Sequence, residues 1–544
     1  MPVAYAPSIP TPADLGIAAF NPGQAEAAQF VLDAWEGLAG IDAPTGFGKS
    51  LIPAMTWLAT GLRVGVLTHT KGLQTQYQNA FAASLGLADV RGKVSYTCNE
   101  DKLITALDGA CEGCRRFVDG CDYYDAVRGV RRSPFFVTNY AAHFSHNKFG
   151  QGLGPIDILF LDEADVALDA LSDFLSVTIQ RSQIRRITGL ELPVPSDAKK
   201  GVYENQDAVR DWAKVAYAAL PKTAPVSGSI HDDDGMGVVS RSLADRRRKR
   251  EIEELRQYLD ALIGMKGGWV IWRAESRDGT NTSLQAQPVE PERYLESVLY
   301  QWRAGDRGGR VPKVVLMSAT LPEPVVKKMA QGQPYAYRSF PSAIPVHNRQ
   351  ITHLRTTNMS RGRADVNAWV MNLDYIVGDR LDRKGVIHTT SYSRRSDYLL
   401  KSRYAGQGIF LSHDSRDIEQ AVQEFKRRSA PCVLVSPSLV RGFDFPDDDC
   451  RYLVVGKVPF PPPDPIVEAR RKVDPDYAAM VAAQVIQQEV GRGARHIRDW
   501  CEIFITDDDW TWFSRNYAAY FTRAFLEAVN PRSMSLLPSP RPLR

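Results

Sequence analysis

APTGFGKS, residues Ala43 to Ser50, follows the short apolar run IDAP and opens a helical stretch, the setting that a phosphate-binding loop requires. Gly46 and Gly48 allow the tight turn that aims successive N–H groups at phosphates. Thr45, Gly46, Phe47, Gly48, Lys49 and Ser50 are accordingly assigned to ATP. Lys49 supplies a charge to the β and γ phosphates, and Ser50 offers a hydroxyl to magnesium. The partner of such a loop is an acidic turn at a strand end, and IDILFLDEAD supplies it. Asp162 is placed to hold magnesium, and Glu163 to polarise a water for in-line attack on the γ phosphate.

Outward from these two motifs, short β-branched runs recur, each ending in a polar turn: RVGVLTHT, KVVLMSAT, GVIHTTS, CVLVSPS, RYLVVGKV and EIFITDDD. Continuous apolar runs of this length read as parallel strands buried on both faces, with helices such as AEAAQFVLDAWEGL between them. The expected class is α/β, with ligands bound beyond the carboxyl ends of the strands. At 544 residues the chain exceeds a single core. One set of runs occupies the first 172 residues plus 306–338, and a second set occupies 339–530. Between them, 173–305 reads as an inserted, mainly helical domain containing LADRRRKREIEELRQYLDALIG and a loop at SGSIHDDDGMG. The Pro- and Arg-rich end, 531–544, reads as a disordered tail.

The net charge of +4 excludes a global basic field, so any nucleic-acid surface must be a local groove. No basic segment leading into an apolar core opens the chain and no apolar run approaches a membrane span, so a cytoplasmic protein without membrane contact is expected.

QEVGRGAR, Gln488 to Arg495, fits Q-x-x-G-R-x-x-R, which would set Arg492 and Arg495 one helical turn apart as arginine fingers from the second domain. With this motif the chain resembles the superfamily 2 helicases, and within them the iron-sulfur XPD/DinG group. The motifs fall in that group's order: NPGQ with Gln24, APTGFGKS, THTKGLQTQ, TNY, DEAD, Ser318-Ala319-Thr320, TTSYSR with Tyr392, SPSLVRGFDFP with Arg441, Gly442 and Asp444, and PFPPPDP. Asp165 stands where the family usually has histidine. The resemblance implies two RecA-like parallel-sheet domains, 5′ to 3′ movement on single-stranded DNA, and action as a monomer on forked or tailed duplexes, as in DNA repair. It also assigns Gln24, Gly442, Asp444 and Gln488 to the nucleotide.

Cys98, Cys111, Cys114 and Cys121 are separated by twelve, two and six residues. Four thiolates suit either a 4Fe-4S cluster or a structural zinc, and spacing alone leaves both open. Their place between THTKGLQTQ and DEAD is where the family carries its cluster, which divides the first domain into 1–91, a cluster domain at 92–135, 136–172, the helical arch at 173–305, and 306–338. Expected nucleic-acid contacts are Lys71, Gln74 and Tyr392, with Tyr96, Tyr123 and Tyr124 as stacking surfaces or core residues. Arg246 to Arg250 read as a solvated helix face. An RNA helicase, or an ATP-gated module that grips nucleic acid without unwinding it, are the alternative functions.

Overall fold

The computed structural model describes residues 8–34, 37–109, 114, 120–195, 201–221, 235–265, 267–276, 281–360, 362–414, 417–437 and 443–543, with side chains of the segment opening at 235 described from 243. The first domain contributes strands β1 (Gly37–Asp42), β2 (Val64–Thr68), β3 (Ala88–Val90), β4 (Phe135–Asn139) and β5 (Ile158–Asp162). The insertion that follows contains β6 (Val177–Gln180), β7 (Trp269–Glu275) and β8 (Thr282–Pro288), then a hairpin of β9 (Gln301–Ala304) and β10 (Arg307–Arg310). The chain returns through β11 (Lys313–Ser318) and β12 (Tyr335–Ser339). Together they form a seven-stranded parallel sheet in the order β12-β1-β11-β5-β2-β4-β3.

Alternate residues of these strands pack on opposite faces. Val66, Val137, Phe160 and Val315 meet Ile52, Met55 and Tyr77 on one side. Leu67, Phe136, Leu161 and Leu316 meet Tyr140 and Phe144 on the other. Both faces are thus dry, which explains the unbroken apolar runs; each such side chain contributes about 1.5 to 3 kcal/mol of burial. Register pairs Asp42 with Ser318 and Asp162 with Met317. The phosphate loop, the Ser-Ala-Thr turn and the acidic turn therefore leave three neighbouring strands at one edge.

The second domain repeats the plan with β13 (Ile351–His353), β14 (Lys384–His388), β15 (Phe410–Leu411), β16 (Cys432–Ser436), β17 (Tyr452–Val455) and β18 (Glu502–Ile505). Their order is β13-β18-β17-β14-β16-β15, all parallel. The two α/β, RecA-like domains are as expected.

One expectation is extended and one corrected. The insertion at 173–305 carries the expected helices, Arg181–Thr188, Gln206–Ala218 and the 29-residue Gly235–Ile263, and in addition holds the antiparallel sheet β6-β8-β7. Only part of each strand is buried, Trp269, Ile271 and Trp272 within β7, and Arg273 and Glu275 interrupt its apolar run, so the continuous apolar signature is missing. Of the loop assigned to SGSIHDDDGMG, residues 227–234 lie outside the described residues, and Gly235 to Gly237 begin the long helix. The tail is docked, not disordered. Met534 bonds in both directions with His353 and Arg355, and Pro538 and Arg541 accept hydrogen bonds from Arg380 and Arg383. The Arg541 guanidinium lies 4.6 Å above the Trp500 ring.

Candidate active site

A cleft of about 810 Å³ lies between the domains. Thr45, Gly46, Gly48, Lys49, Ser50, Asp162, Glu163 and Asp165 line it from the first domain, and Asp444, Gln488, Arg492 and Arg495 from the second. Gly46 and Gly48 both have φ near +80°, a backbone that L side chains rarely adopt. The fit is tight as well. A Cβ on Gly48 would meet Gln24 Nε2 at 2.4 Å, and one on Gly46 would meet the Arg495 carbonyl at 2.8 Å. Lys49 Nζ donates to the Ala43 carbonyl at 3.0 Å. Burial lowers its pKa, while the nearby Asp162 acts in the opposite sense.

Asp162 ends β5 with 3% exposure. Its Oδ2 accepts the Tyr77 hydroxyl at 2.8 Å and its Oδ1 the Glu163 amide at 3.0 Å. Those are two of the four hydrogen bonds its oxygens can take, so the carboxylate retains capacity for a cation in the cleft, with Ser50 alongside. Burial raises its pKa and Lys49 opposes this. Glu163 follows at φ 54°, left-handed backbone in a non-glycine residue, of the kind that costs about 1 to 3 kcal/mol and persists where surroundings fix it.

Asp165 joins the two sides of the cleft. It accepts hydrogen bonds from Ser318 Oγ at 2.5 Å, Thr320 Oγ1 at 2.9 Å and Gln488 Nε2 at 2.5 Å, and its main-chain carbonyl accepts Gln484 Nε2 at 2.9 Å. Gln484 and Gln488 lie on the helix Tyr477–Val490 of the second domain. That helix ends before the arginine pair, since Gly491 and Gly493 follow and Gly493 packs against Cys501. Arg492 and Arg495 are therefore on a turn, not one helical turn apart as expected, yet both reach the cleft. Arg492 Nη1 donates to the Phe443 carbonyl at 2.6 Å, and Arg495 Nη2 pairs with Asp444 at 2.6 Å.

Other expected residues stand elsewhere. Phe47 is buried against Phe340, and Gln24 donates to the Phe47 and Gly48 carbonyls at 2.9 and 3.0 Å, so both brace the loop from behind and neither lines the cleft. Gln74 is fully buried, bonded to Asp89, Val90 and Asn139; it fastens its helix to the sheet and offers nothing to a nucleic acid. Lys71 is exposed at the start of that helix, and Tyr392 is half-buried beneath the Arg395 guanidinium. Tyr123 is a core residue against Tyr96 and Tyr124. Arg247 and Arg250 are not simply solvated: both pair with Asp108, joining the long helix to the cysteine-rich insertion. Gly442, Arg441 and Cys111 lie outside the described residues. Cys98, Cys114 and Cys121 are half-buried free thiols. The Asp122 amide bonds Asn99 Oδ1 at 3.1 Å, and Gly109 abuts Cys98 Sγ, so the segments carrying Cys98 and Cys121 and the chain leading to Cys111 come together.

Tyr77 and Asp42 belong to no motif that reads as part of the site; Asp42 sits fully buried at the end of β1 directly before the phosphate loop.

Residues 380–528 match the helicase C-terminal domain family. No curated protein matches the sequence. Among solved structures, the chain superposes on an XPD helicase with a TM-score of 0.63 at 14% identity, covering 92% of this chain and 98% of the other. Xpd4 of S. tokodaii gives 0.56 at 15% identity, with 94% and 99% covered, and an apo XPD gives 0.57 at 14%, with 92% and 98% covered. The class defined by the fold is a two-domain, RecA-like architecture with insertions in the first domain. In that arrangement the chain is similar to the XPD structures, and its second domain carries the helicase C-terminal domain.

Asp42 yields a pH test. Burial pushes its carboxyl up to about 7, against the Ser339 hydroxyl and Lys49, which lower it. A carboxyl raised in the fold contributes stability at low pH that is lost as pH climbs to about 7. Asp42→Asn keeps an acceptor for Ser339, so its stability relative to the parent should rise by roughly 2 to 3 kcal/mol between pH 5 and pH 8 in denaturant unfolding. A pH-independent difference would contradict the burial argument.

Proposed function

We propose that this protein is an ATP-dependent helicase that moves 5′ to 3′ on single-stranded DNA and opens tailed or forked duplexes. The observation that carries the reading is the cleft itself, where Lys49, Asp162 and Glu163 of one domain face Arg492 and Arg495 of the other. Lys49 neutralises the β and γ phosphates of ATP. Ser50 and Asp162 would hold magnesium, which when bound offsets charge on the same phosphates. Glu163, fixed by its strained backbone, polarises the attacking water. Arg492 and Arg495 exchange their present acceptors, Phe443 and Asp444, for the charge that develops during phosphoryl transfer. ATP thereby closes the cleft and hydrolysis reopens it, and the alternation steps the protein along one strand.

DNA as the track, and its direction, rest on the XPD-like architecture together with PFPPPDP and the cysteine-bearing insertion. A partial duplex with a 5′ single-stranded tail should be unwound with ATP and magnesium, and one with only a 3′ tail should not. Lys49→Ala should abolish unwinding and lower stimulated ATP hydrolysis by at least about a hundredfold. Efficient opening from a 3′ tail, or of RNA duplexes alone, would overturn the assignment.

The place of Cys98, Cys111, Cys114 and Cys121 in the chain supports a 4Fe-4S cluster; Cys98, Cys114 and Cys121 are not gathered into a ready ligand set in this structure, so binding would draw their segments together and brace the insertion. Protein purified without oxygen should be brown, and Cys111→Ser should lose both the colour and unwinding. Its ATP hydrolysis without DNA should survive better, because the insertion is separate from the cleft. A colourless parent with one zinc per chain would exclude the cluster.

A further inference from the structure

Tyr77 does a job that no motif assigned to the cleft explains. It lies on the helix Lys71–Leu85, whose N-terminal end places Thr70, Gly72, Leu73 and Gln76 on the cleft. Thr70 caps that helix by accepting the Leu73 amide. About two turns further on, Tyr77 is fully buried, stacked obliquely against Phe81, and its hydroxyl donates to Asp162 Oδ2 at 2.8 Å. The bond spans 85 residues of sequence. A second phenol, Tyr140, donates to the Asp162 main-chain carbonyl at 3.0 Å, so main chain and side chain of this aspartate are held separately. With the Glu163 amide on Oδ1, the Tyr77 hydroxyl on Oδ2 fixes both carboxylate oxygens.

We propose that Tyr77 is a positioning residue for ATP hydrolysis: its hydroxyl holds the Asp162 carboxylate in the orientation that receives magnesium, and ties it to the helix that begins at Thr70 and Lys71. The inference rests on the functional reading above and deepens it. A hydrogen bond from a neutral donor to a carboxylate is short and strong, and the aromatic core around the ring leaves the hydroxyl no other orientation. Magnesium binding thus meets a carboxylate that needs no reorganisation. Because the same helix starts with exposed Lys71, an expected nucleic-acid contact, a strand bound there pulls on Asp162 through a single rigid element. Phenylalanine fills the same space without the donor, so the hydroxyl is separable from the packing.

The test uses full-length Tyr77→Phe, assayed at a temperature where circular dichroism shows both proteins folded. Manganese(II), used in place of magnesium with a non-hydrolysable ATP analogue, should bind the variant about fivefold or more weakly in an electron paramagnetic resonance titration, the magnesium concentration for half-maximal ATP hydrolysis should rise by a similar factor, and stimulation by single-stranded DNA should fall at least about threefold. The KM for ATP at saturating magnesium should change less than twofold. Equal manganese affinity and equal stimulation in variant and parent would overturn the proposal, even if the variant melts earlier, since a purely structural tyrosine moves only stability. A parent that hydrolyses no ATP would overturn the functional reading itself, and this inference with it.

Discussion

One buried carboxylate, Asp165, accepts hydrogen bonds from both halves of the molecule, and the arrangement of the cleft depends on it. Ser318 and Thr320 reach it from the end of β11, and Gln488 reaches it from the second domain, while Gln484 holds its carbonyl. Hydrogen bonds to a charged group contribute about 1.5 to 3 kcal/mol each, more than a neutral pair. Two glutamine contacts from one helix, four residues apart, therefore help set how the domains sit, beside the apolar packing of Met480 from the same helix on the core of the first domain. An ionised aspartate can only accept, which matches the donors around it.

The insertions bear on the same geometry. Arg247 and Arg250 of the long helix meet Asp108 of the cysteine-rich insertion, and Arg470, on the helix after PFPPPDP, reaches Ser172 and Pro288. Ile466 and Val467 of that helix pack on Trp272 of the inserted sheet. The second domain thus touches the arch as well as the cleft, so a change at one is felt at the other.

Much of this was legible in the sequence because the chemistry restricts residue type. A loop that cradles phosphates needs Gly46, Gly48 and Lys49, and strands dry on both faces must be apolar throughout, so the seven runs quoted became strands. What escaped was set by partners distant in the chain. The β7 strand WVIWRAE is cut short by Arg273 and Glu275 and so lacks the buried-strand signature; Gln74 and Phe47 sit inside functional motifs yet face the core; and the proline-rich tail finds partners on β13 and near β18 that composition cannot forecast. The Gly491-Arg492-Gly493 turn ended a helix that the motif's spacing suggested would continue. The site assignments drawn from the resemblance are proposals that the cleft supports.

The most direct test of the account is ATP binding and DNA-stimulated turnover of Asp165→Ala, measured separately. Loss of the carboxylate removes the bonds to Gln488, Ser318 and Thr320 but leaves Lys49, Asp162 and Glu163 in place. Nucleotide affinity should stay within a few-fold of the parent, and stimulated turnover should fall at least about tenfold. Stimulated turnover equal to the parent's would contradict the claim that this carboxylate couples the domains.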